Sequence, residues 1–151
     1  MKTVVQRVSR AEVRINGEPA RSIGAGLVIL LGVEPADTDA DAAWLLDKIL
    51  KLRLFDDNEG FMDLSLGDID GELLVVSQFT LFASTKKGTK PSFHRAAKPE
   101  IAVPLYELFV RLARNSIGPD KVKTGTFGAM MSVELVNDGP VTLILDSKNK
   151  E

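Results

Sequence analysis

At residues 71–81 the chain reads GELLVVSQFTL, an apolar run that ends in hydroxyl, amide and aromatic side chains. The apolar part is typical of a buried strand, because consecutive leucines and β-branched residues need both faces of the strand to be covered. We predict that residues 72–82 form the best-defined strand of the fold. Ser77, Gln78 and Thr80 would then lie near its end, where function often interrupts a regular pattern.

Strands and helices are predicted on both sides of this segment. Apolar alternation and apolar runs predict strands at residues 2–8, 11–15, 27–33, 52–55, 130–137 and 141–146. Asn16-Gly17 predicts a hairpin turn after the second strand. Helices are predicted over 38–51 and from Pro99 to about residue 115, since apolar residues recur there at helical spacing. The second helix is expected to bury Ile101, Leu105, Leu108, Phe109 and Leu112.

This order of elements predicts a single α+β domain over residues 1–151. Its sheets are expected to be mainly antiparallel, barrel-like and layered, with two principal helices packed on the outside. A chain of 151 residues is long enough to bury one hydrophobic core. Its contents of hydrophobic residues (44%) and charged residues (26%) are those of a globular protein.

Composition also limits the compartment and the chemistry. The chain has no cysteine and no apolar run of the roughly 18 residues that a membrane helix needs. Residues 1–8 alternate like a strand and lack the apolar block of a signal peptide. We therefore expect a cytoplasmic protein without a membrane partner. Because His94 is the single histidine, a zinc or iron site with the usual ligands is not predicted.

Positive charge is concentrated in one segment, although the formal net charge is −2. Residues 86–98 contain no acidic residue, and their basic members are Lys86, Lys87, Lys90, His94, Arg95 and Lys98. Gly88, Pro91 and Ser92 predict a loop rather than a helix. The segment could contact a nucleic-acid backbone, or it could be an ordinary solvated loop. Charge alone leaves both readings open.

The polar groups that end the 72–82 strand allow two interpretations. A hydroxyl such as that of Ser77 or Thr80 needs a base to become a nucleophile, and no base accompanies them in sequence. Backbone N–H groups around Gln78, Phe79 and Thr80 could instead stabilise a developing oxyanion. Alternatively, this is a strand end whose hydroxyls only satisfy backbone groups.

A second unusual segment reads NDGPVT at residues 137–142, between two apolar runs. Proline lacks a backbone donor and normally marks an edge, a bulge or a turn. The residues alone favour a trans Gly139–Pro140 bond, as for most X–Pro pairs. A cis bond would instead present the carbonyls of Gly139 and its neighbour as acceptors, which could hold an ammonium group.

The segments SQFTL (77–81) and NDGPVT (137–142) resemble the two signature motifs of the D-aminoacyl-tRNA deacylases, once called D-tyrosyl-tRNA deacylases. The resemblance covers nearly the whole chain. Its other matching parts are Val5 to Ala11, Leu30 to Val33, Pro91 to Phe93, Phe127 to Ala129, and Met131.

The resemblance implies an enzyme that hydrolyses the ester bond between a D-amino acid and tRNA, and also glycyl-tRNA mischarged on tRNA-Ala. It implies a homodimer that needs no metal and no cofactor, with aminoacyl-tRNA as its partner and no DNA. Gly139-Pro140 would be a cis pair that reaches into the pocket of the other subunit. Its carbonyls would hold the α-ammonium and exclude L-amino acids. Asn137 and Met131 would help to bind substrate, although Met131 suits a core role equally well.

For catalysis, the resemblance implies that the 2′-hydroxyl of the terminal ribose assists hydrolysis. Ser77, Gln78 and Phe79 would orient the adenosine and the ester, and the Phe79 N–H would face the oxyanion. Thr80 would support the site; its direct attack as a nucleophile is the rival mechanism.

The basic loop departs modestly from the family pattern. Relatives often carry more arginine there, and His94-Arg95 replace commonly small residues, so the positive charge is kept. The tRNA-binding candidates are Lys86, Lys87, Lys90, His94 and Arg95. Two alternatives remain: a non-catalytic dimeric module that binds tRNA or other RNA, and a dimeric scaffold in which Gly139-Pro140 is only an interface turn.

Overall fold

A computed structural model describes residues 1–151. It contains eight strands, two α-helices and two short 3₁₀ turns. The strands are β1 Lys2–Ile15, β2 Arg21–Ile23, β3 Gly26–Gly32, β4 Arg53–Asp56, β5 Met62–Ser65, β6 Glu72–Ser77, β7 Val122–Thr124 and β8 Met131–Asp146. The helices are α1 Asp39–Lys51 and α2 Pro99–Ile117, and the 3₁₀ turns are Phe79–Phe82 and Pro119–Lys121.

Strand β1 organises the main sheet. Strand β1 pairs antiparallel with three strands. Its second half pairs with β2, its first half pairs with β3, and β8 pairs with it along nearly the full length of β1. Strands β6 and β7 then continue the sheet from β3 in parallel, while β4 and β5 form a separate antiparallel hairpin. The parallel β3–β6 pair follows from the long crossover through α1 and that hairpin. The predicted α+β class with a barrel-like sheet and two helices is confirmed.

Both faces of the sheet are buried at β3 and β6. Leu27, Ile29 and Val75 belong to the larger core, which also contains the buried faces of both helices. Val28 and Leu74 point the other way, into a second core inside the curled sheet. Continuous apolar runs in β3 and β6 are therefore explained by cover on each side.

The helices begin and end close to the predicted residues, but the buried face of α2 differs from the prediction. Its buried residues are Ala102, Leu105, Tyr106, Phe109, Val110 and Ala113. Ile101 was expected in the core, and its side chain is 39% exposed. The prediction favoured the larger apolar residues, whereas the buried face of the helix includes the small Ala102 and Ala113.

Three strand boundaries also differ from the sequence predictions. The 72–82 strand ends at Ser77, because the Gln78 N–H makes the last bond to β3, at the Leu31 carbonyl, and the chain then enters a 3₁₀ turn. The segments predicted as separate strands at each end of the chain are continuous in β1 and in β8. Asn16-Gly17 does form the centre of the predicted turn, closed by the Glu18 N–H and the Ile15 carbonyl. Neither helix has the length and apolar character required to cross a membrane.

Candidate active site

A cleft of about 340 Å³ opens where β6 ends and the 3₁₀ turn begins. Its lining is mostly apolar and includes Ser77, Gln78, Phe79, Tyr106, Phe127 and Met131. The α2 helix supplies Tyr106, and the start of β8 supplies Met131. The structure thus brings three of the four predicted catalytic residues together with Met131, which is half-buried at the wall of the cleft.

The change from strand to 3₁₀ turn leaves backbone donors free at this position. The N–H groups of Phe79 and Thr80 have no acceptor in the protein, since the first N–H groups of a helical turn precede its first internal hydrogen bond. Their neighbours are bonded: the Gln78 N–H to the Leu31 carbonyl and the Leu81 N–H to the Gln78 carbonyl. Two adjacent unpaired N–H donors are suited to stabilising an oxyanion.

Thr80 does not line the cleft, and its hydroxyl oxygen accepts a hydrogen bond from the Gln78 side-chain amide. The cleft lining contains no carboxylate, imidazole or amine that could take a proton from this hydroxyl. Thr80 therefore contacts the Gln78 side chain, and the lining of the cleft offers no side-chain base for its hydroxyl.

Tyr106 is a lining residue that the sequence reasoning missed. Its hydroxyl donates to the Val75 carbonyl at 3.1 Å and so fixes α2 against β6. Burial raises the pKa of Tyr106 to about 12, which keeps the hydroxyl protonated. The signal was present: this is the only tyrosine of the chain and it lies on the apolar face of a helix, where a buried hydroxyl requires an acceptor.

Gly125 is a second missed residue, and it determines where Met131 lies. A Cβ atom at Gly125 would come within 2.5 Å of the Met131 sulfur, so a larger residue would push Met131 out of position. A lone glycine outside any recognisable turn motif gave no signal for this close contact.

The Gly139–Pro140 segment lies in the middle of β8, is exposed to solvent and has a cis peptide bond, contrary to the trans form that the residues alone favour. Arg7 holds it from beneath: its Nε donates to the Asp138 carbonyl at 3.1 Å, and one Nη donates to the Leu54 carbonyl at 2.8 Å. A Cβ atom at Gly139 would lie 2.9 Å from the Arg7 guanidinium, and the φ angle of +123° also requires glycine.

Gly139, Pro140 and Asn137 do not line the cleft of their own protomer. The Asn137 side-chain amide lies 3.0 Å from the Thr142 hydroxyl, so it joins the two arms of the segment. The segment 137–142 therefore lies at the surface and outside the cleft that Ser77, Gln78 and Phe79 line.

The basic loop lies beside the mouth of the cleft. Ser84 and Ser92 close its base by two backbone hydrogen bonds of 2.7 and 2.9 Å. Phe93, which follows this base, packs edge-on against Phe79 with ring centroids 5.2 Å apart. His94 contacts the Ser92 hydroxyl through Nδ1 at 2.6 Å.

The lysines of this loop point into solvent without a counter-charge. Lys86, Lys87 and Lys90 are exposed and form no ion pair with a carboxylate, and neither does Arg95. Unpaired cations next to an open cleft favour a polyanionic ligand. No group of three or more His, Cys, Asp or Glu side chains is placed to hold a metal ion.

Comparisons with known proteins identify the family of this chain. Residues 4–146 match the family described as D-Tyr-tRNA(Tyr) deacylase. A Bacteroides thetaiotaomicron protein named D-aminoacyl-tRNA deacylase is 56% identical over 151 residues, which are 100% of each chain. Among solved structures, a "c-Myc DNA Unwinding Element Binding Protein" is 44% identical, with a TM-score of 0.90 over 97% of this chain and 98% of that one. A "probable eukaryotic D-amino acid tRNA deacylase" shares the fold, with a TM-score of 0.82 at 19% identity over 95% and 97% of the two chains.

Proposed function

This chain belongs to the D-Tyr-tRNA(Tyr) deacylase family, and from that membership we propose that it hydrolyses D-aminoacyl-tRNA to free D-amino acid and tRNA. Glycyl-tRNA mischarged on tRNA-Ala is a second proposed substrate, since glycine has no L side chain to be excluded. The observation that supports this function best is the unpaired N–H of Phe79, a residue that lines the cleft after β6.

In the proposed reaction a water molecule adds to the ester carbonyl carbon and the carbonyl oxygen becomes negatively charged. The Phe79 N–H donates to this oxygen, while Ser77 and Gln78 orient the ester and the terminal adenosine. The bond from the carbonyl carbon to the ribose 3′-oxygen then breaks, and the proton lost by the water passes to that oxygen. The ribose 2′-hydroxyl assists, because the cleft contains no carboxylate, imidazole or amine to act as a base.

Chirality is proposed to be selected by the Gly139–Pro140 pair of a second subunit. The carbonyls of this pair would accept hydrogen bonds from the substrate α-ammonium and leave no room for an L side chain. Two observations support the proposal: the segment is exposed rather than folded into its own cleft, and Arg7 fixes it from the buried side. Asn137 would keep the segment in shape through Thr142.

A homodimer would bring the two motifs together. Strand β8 carries the Gly139–Pro140 segment and several apolar side chains that are open to solvent, including Val136 at 41% and Ile144 at 76% exposure. A monomer rarely leaves such a row uncovered, and a second copy of the chain is the occupant that also completes the cleft. Lys86, Lys87, Lys90, His94 and Arg95 would contact the tRNA backbone, in the cytoplasm.

The first test compares purified protein on D-tyrosyl-tRNA and on L-tyrosyl-tRNA, each with a metal chelator present. We expect rapid release of D-tyrosine and an L-tyrosine release no faster than spontaneous hydrolysis. Pro140→Ala is the matched variant, and it should lose deacylation or chiral rejection. If folded dimer binds both tRNAs and cleaves neither, the proposal is wrong and the unpaired basic loop favours a non-catalytic RNA-binding module. If Pro140→Ala only loosens the dimer, the segment is an interface turn.

A further inference from the structure

A second groove, of about 510 Å³, lies between the end of α2 and β7 and adjoins the active-site cleft. Tyr106 lines both cavities, so they are neighbours. Its polar lining includes Glu107, Arg111, Arg114, Asn115 and Thr124. Arg114 lies eight positions after Tyr106 on the helix, a distance of about 12 Å along the helix axis.

The two arginines of this groove differ from most arginines of the chain, because they have no acidic partner. Arginines that form an ion pair with a carboxylate are Arg7, Arg10, Arg14, Arg21 and Arg53. Arg111 and Arg114 form none and their side chains make no hydrogen bond within the protein. They are three residues apart on α2, so their charges lie on one face of the helix and repel each other. An anion between them would remove that repulsion.

The chemistry of the groove suits a phosphodiester. A guanidinium group offers paired N–H donors that match phosphate oxygens, and the Asn115 amide and Thr124 hydroxyl add neutral donors. Glu107 is the one carboxylate in the lining, and it pairs with neither arginine. The groove therefore carries one more positive charge than negative charge.

We propose that this groove binds a backbone phosphate of the single-stranded 3′ end of tRNA, next to the residue whose ester lies in the cleft. The proposal rests on the proposed function. It adds a contact with tRNA to that of the basic loop, on the side of Tyr106 that faces the end of α2.

The test uses Arg111→Gln/Arg114→Gln with two substrates, D-tyrosyl-tRNA and D-tyrosyl-adenosine esterified at the 3′-oxygen, which has no phosphate. We expect kcat/KM on D-tyrosyl-tRNA to fall about tenfold through KM, and that on D-tyrosyl-adenosine to change less than about twofold. The slope of log KM against log salt should fall by about 0.7, since about 0.7 is lost for each single-strand phosphate contact. Glu107→Gln should tighten tRNA binding by about twofold.

Lys51→Gln/Arg53→Gln is the matched control, because it removes the same charge from exposed ion pairs outside both cavities. An equal loss in this control would mean that net charge, and not the groove, is responsible, and would overturn the inference. An unchanged KM for D-tyrosyl-tRNA in Arg111→Gln/Arg114→Gln would also overturn the inference. So would an equal loss of kcat/KM on both substrates together with a lower Tm, because the arginines would then only stabilise the end of α2. If the wild-type protein cleaves neither substrate, the proposed function itself fails.

Discussion

Thr80 is the residue on which the two catalytic mechanisms disagree. Its hydroxyl accepts a hydrogen bond from the Gln78 amide and has no base in the cleft lining. We expect Thr80→Ala to keep deacylation of D-tyrosyl-tRNA within about tenfold of wild type, because the variant loses only the orientation of Gln78. Single-turnover rates would measure this. A loss of about a thousandfold with unchanged circular dichroism would instead identify Thr80 as the nucleophile.

Arg7 is a buried cation whose removal should affect stability and selectivity together. Arg7→Gln loses the charged hydrogen bonds to the Asp138 and Leu54 carbonyls, for which we expect a cost of about 1.5–3 kcal/mol in the free energy of unfolding. The freed Gly139–Pro140 segment should also admit L-tyrosyl-tRNA more readily. Denaturant unfolding and the ratio of D to L hydrolysis are the two measurements.

Arg10→Gln is the control for Arg7, since Arg10 pairs with Glu134 on the same two strands but at the exposed surface. Its cost should be below about 1 kcal/mol. Equal costs for the two variants, or an unaltered selectivity for Arg7→Gln, would contradict the role given to Arg7.

Individual residues of the site were predicted to very different degrees. Ser77, Gln78 and Phe79 could be found because polar residues interrupt a buried apolar run, and the structure places all three in the cleft. Tyr106 and Gly125 could not be assigned, since their roles depend on contacts of α2 with β6 and of Met131 with Gly125 that no local pattern encodes. The role of Gly139 came from family resemblance and not from its neighbours in sequence.

Among the elements, the basic loop has the clearest testable role. Its lysines have no acidic partner, and its base is joined to the cleft through the contact between Phe93 and Phe79. Lys86→Gln/Lys87→Gln/Lys90→Gln should raise the KM for D-tyrosyl-tRNA and lower its salt dependence, while the hydrolysis rate of bound substrate stays near wild type. A fall in kcat with an unchanged KM would show that the loop acts on chemistry rather than on binding.

At the scale of elements, the sequence predicted where strands and helices occur better than where they end. β8 was expected as two strands because Gly139-Pro140 interrupts the pattern, yet the pairing with β1 continues on both sides of it, with shifted register near Val8. The strand before the cleft was predicted too long because Phe79 and Thr80 are good strand formers. Its true end is set by the last bond to β3, which is a tertiary contact.

For the whole molecule, the exposed side chains of β8 allow a test of the proposed dimer. Ile144→Lys places a charge where we expect a second copy, so it should shift the protein towards monomer and reduce deacylation. Analytical ultracentrifugation and activity should change together. Phe61→Lys is the control, because Phe61 is also exposed, at 65%, but lies outside β8. A monomeric Ile144→Lys protein with full activity would contradict the shared site.

The stability of the whole molecule should also depend on pH through Asp41. Burial alone would raise its pKa, but hydrogen bonds from Lys148, Ser147 and the Thr38 backbone outweigh burial and hold the pKa of Asp41 well below its usual value. Because the pKa of Asp41 is lower in the folded protein than in the unfolded chain, its carboxylate stabilises the fold at pH values above the unfolded-state pKa of about 3.9. This stabilisation is lost progressively as the pH falls below about 3.9.

We therefore expect the Tm of the wild-type protein to decline steeply below about pH 4, and Asp41→Asn to lower the Tm near neutral pH and flatten the decline. Thermal unfolding between acid and neutral pH measures both. Asp47→Asn, at an exposed ion pair on the same helix, should leave the profile nearly unchanged. Parallel profiles for wild type and Asp41→Asn would exclude Asp41 as the source.

Strand β8 carries Met131, which lines its own cleft, and Pro140, which we assign to the cleft of the neighbour. In the proposed dimer each cleft needs residues from both chains, so a defect in one chain should reduce the activity of its partner's cleft. In a cell that makes wild-type and Pro140→Ala chains in equal amounts, random pairing would leave the mixed dimers with one complete cleft each. Such an allele would be partly dominant, because the altered chain disables the cleft of its wild-type partner.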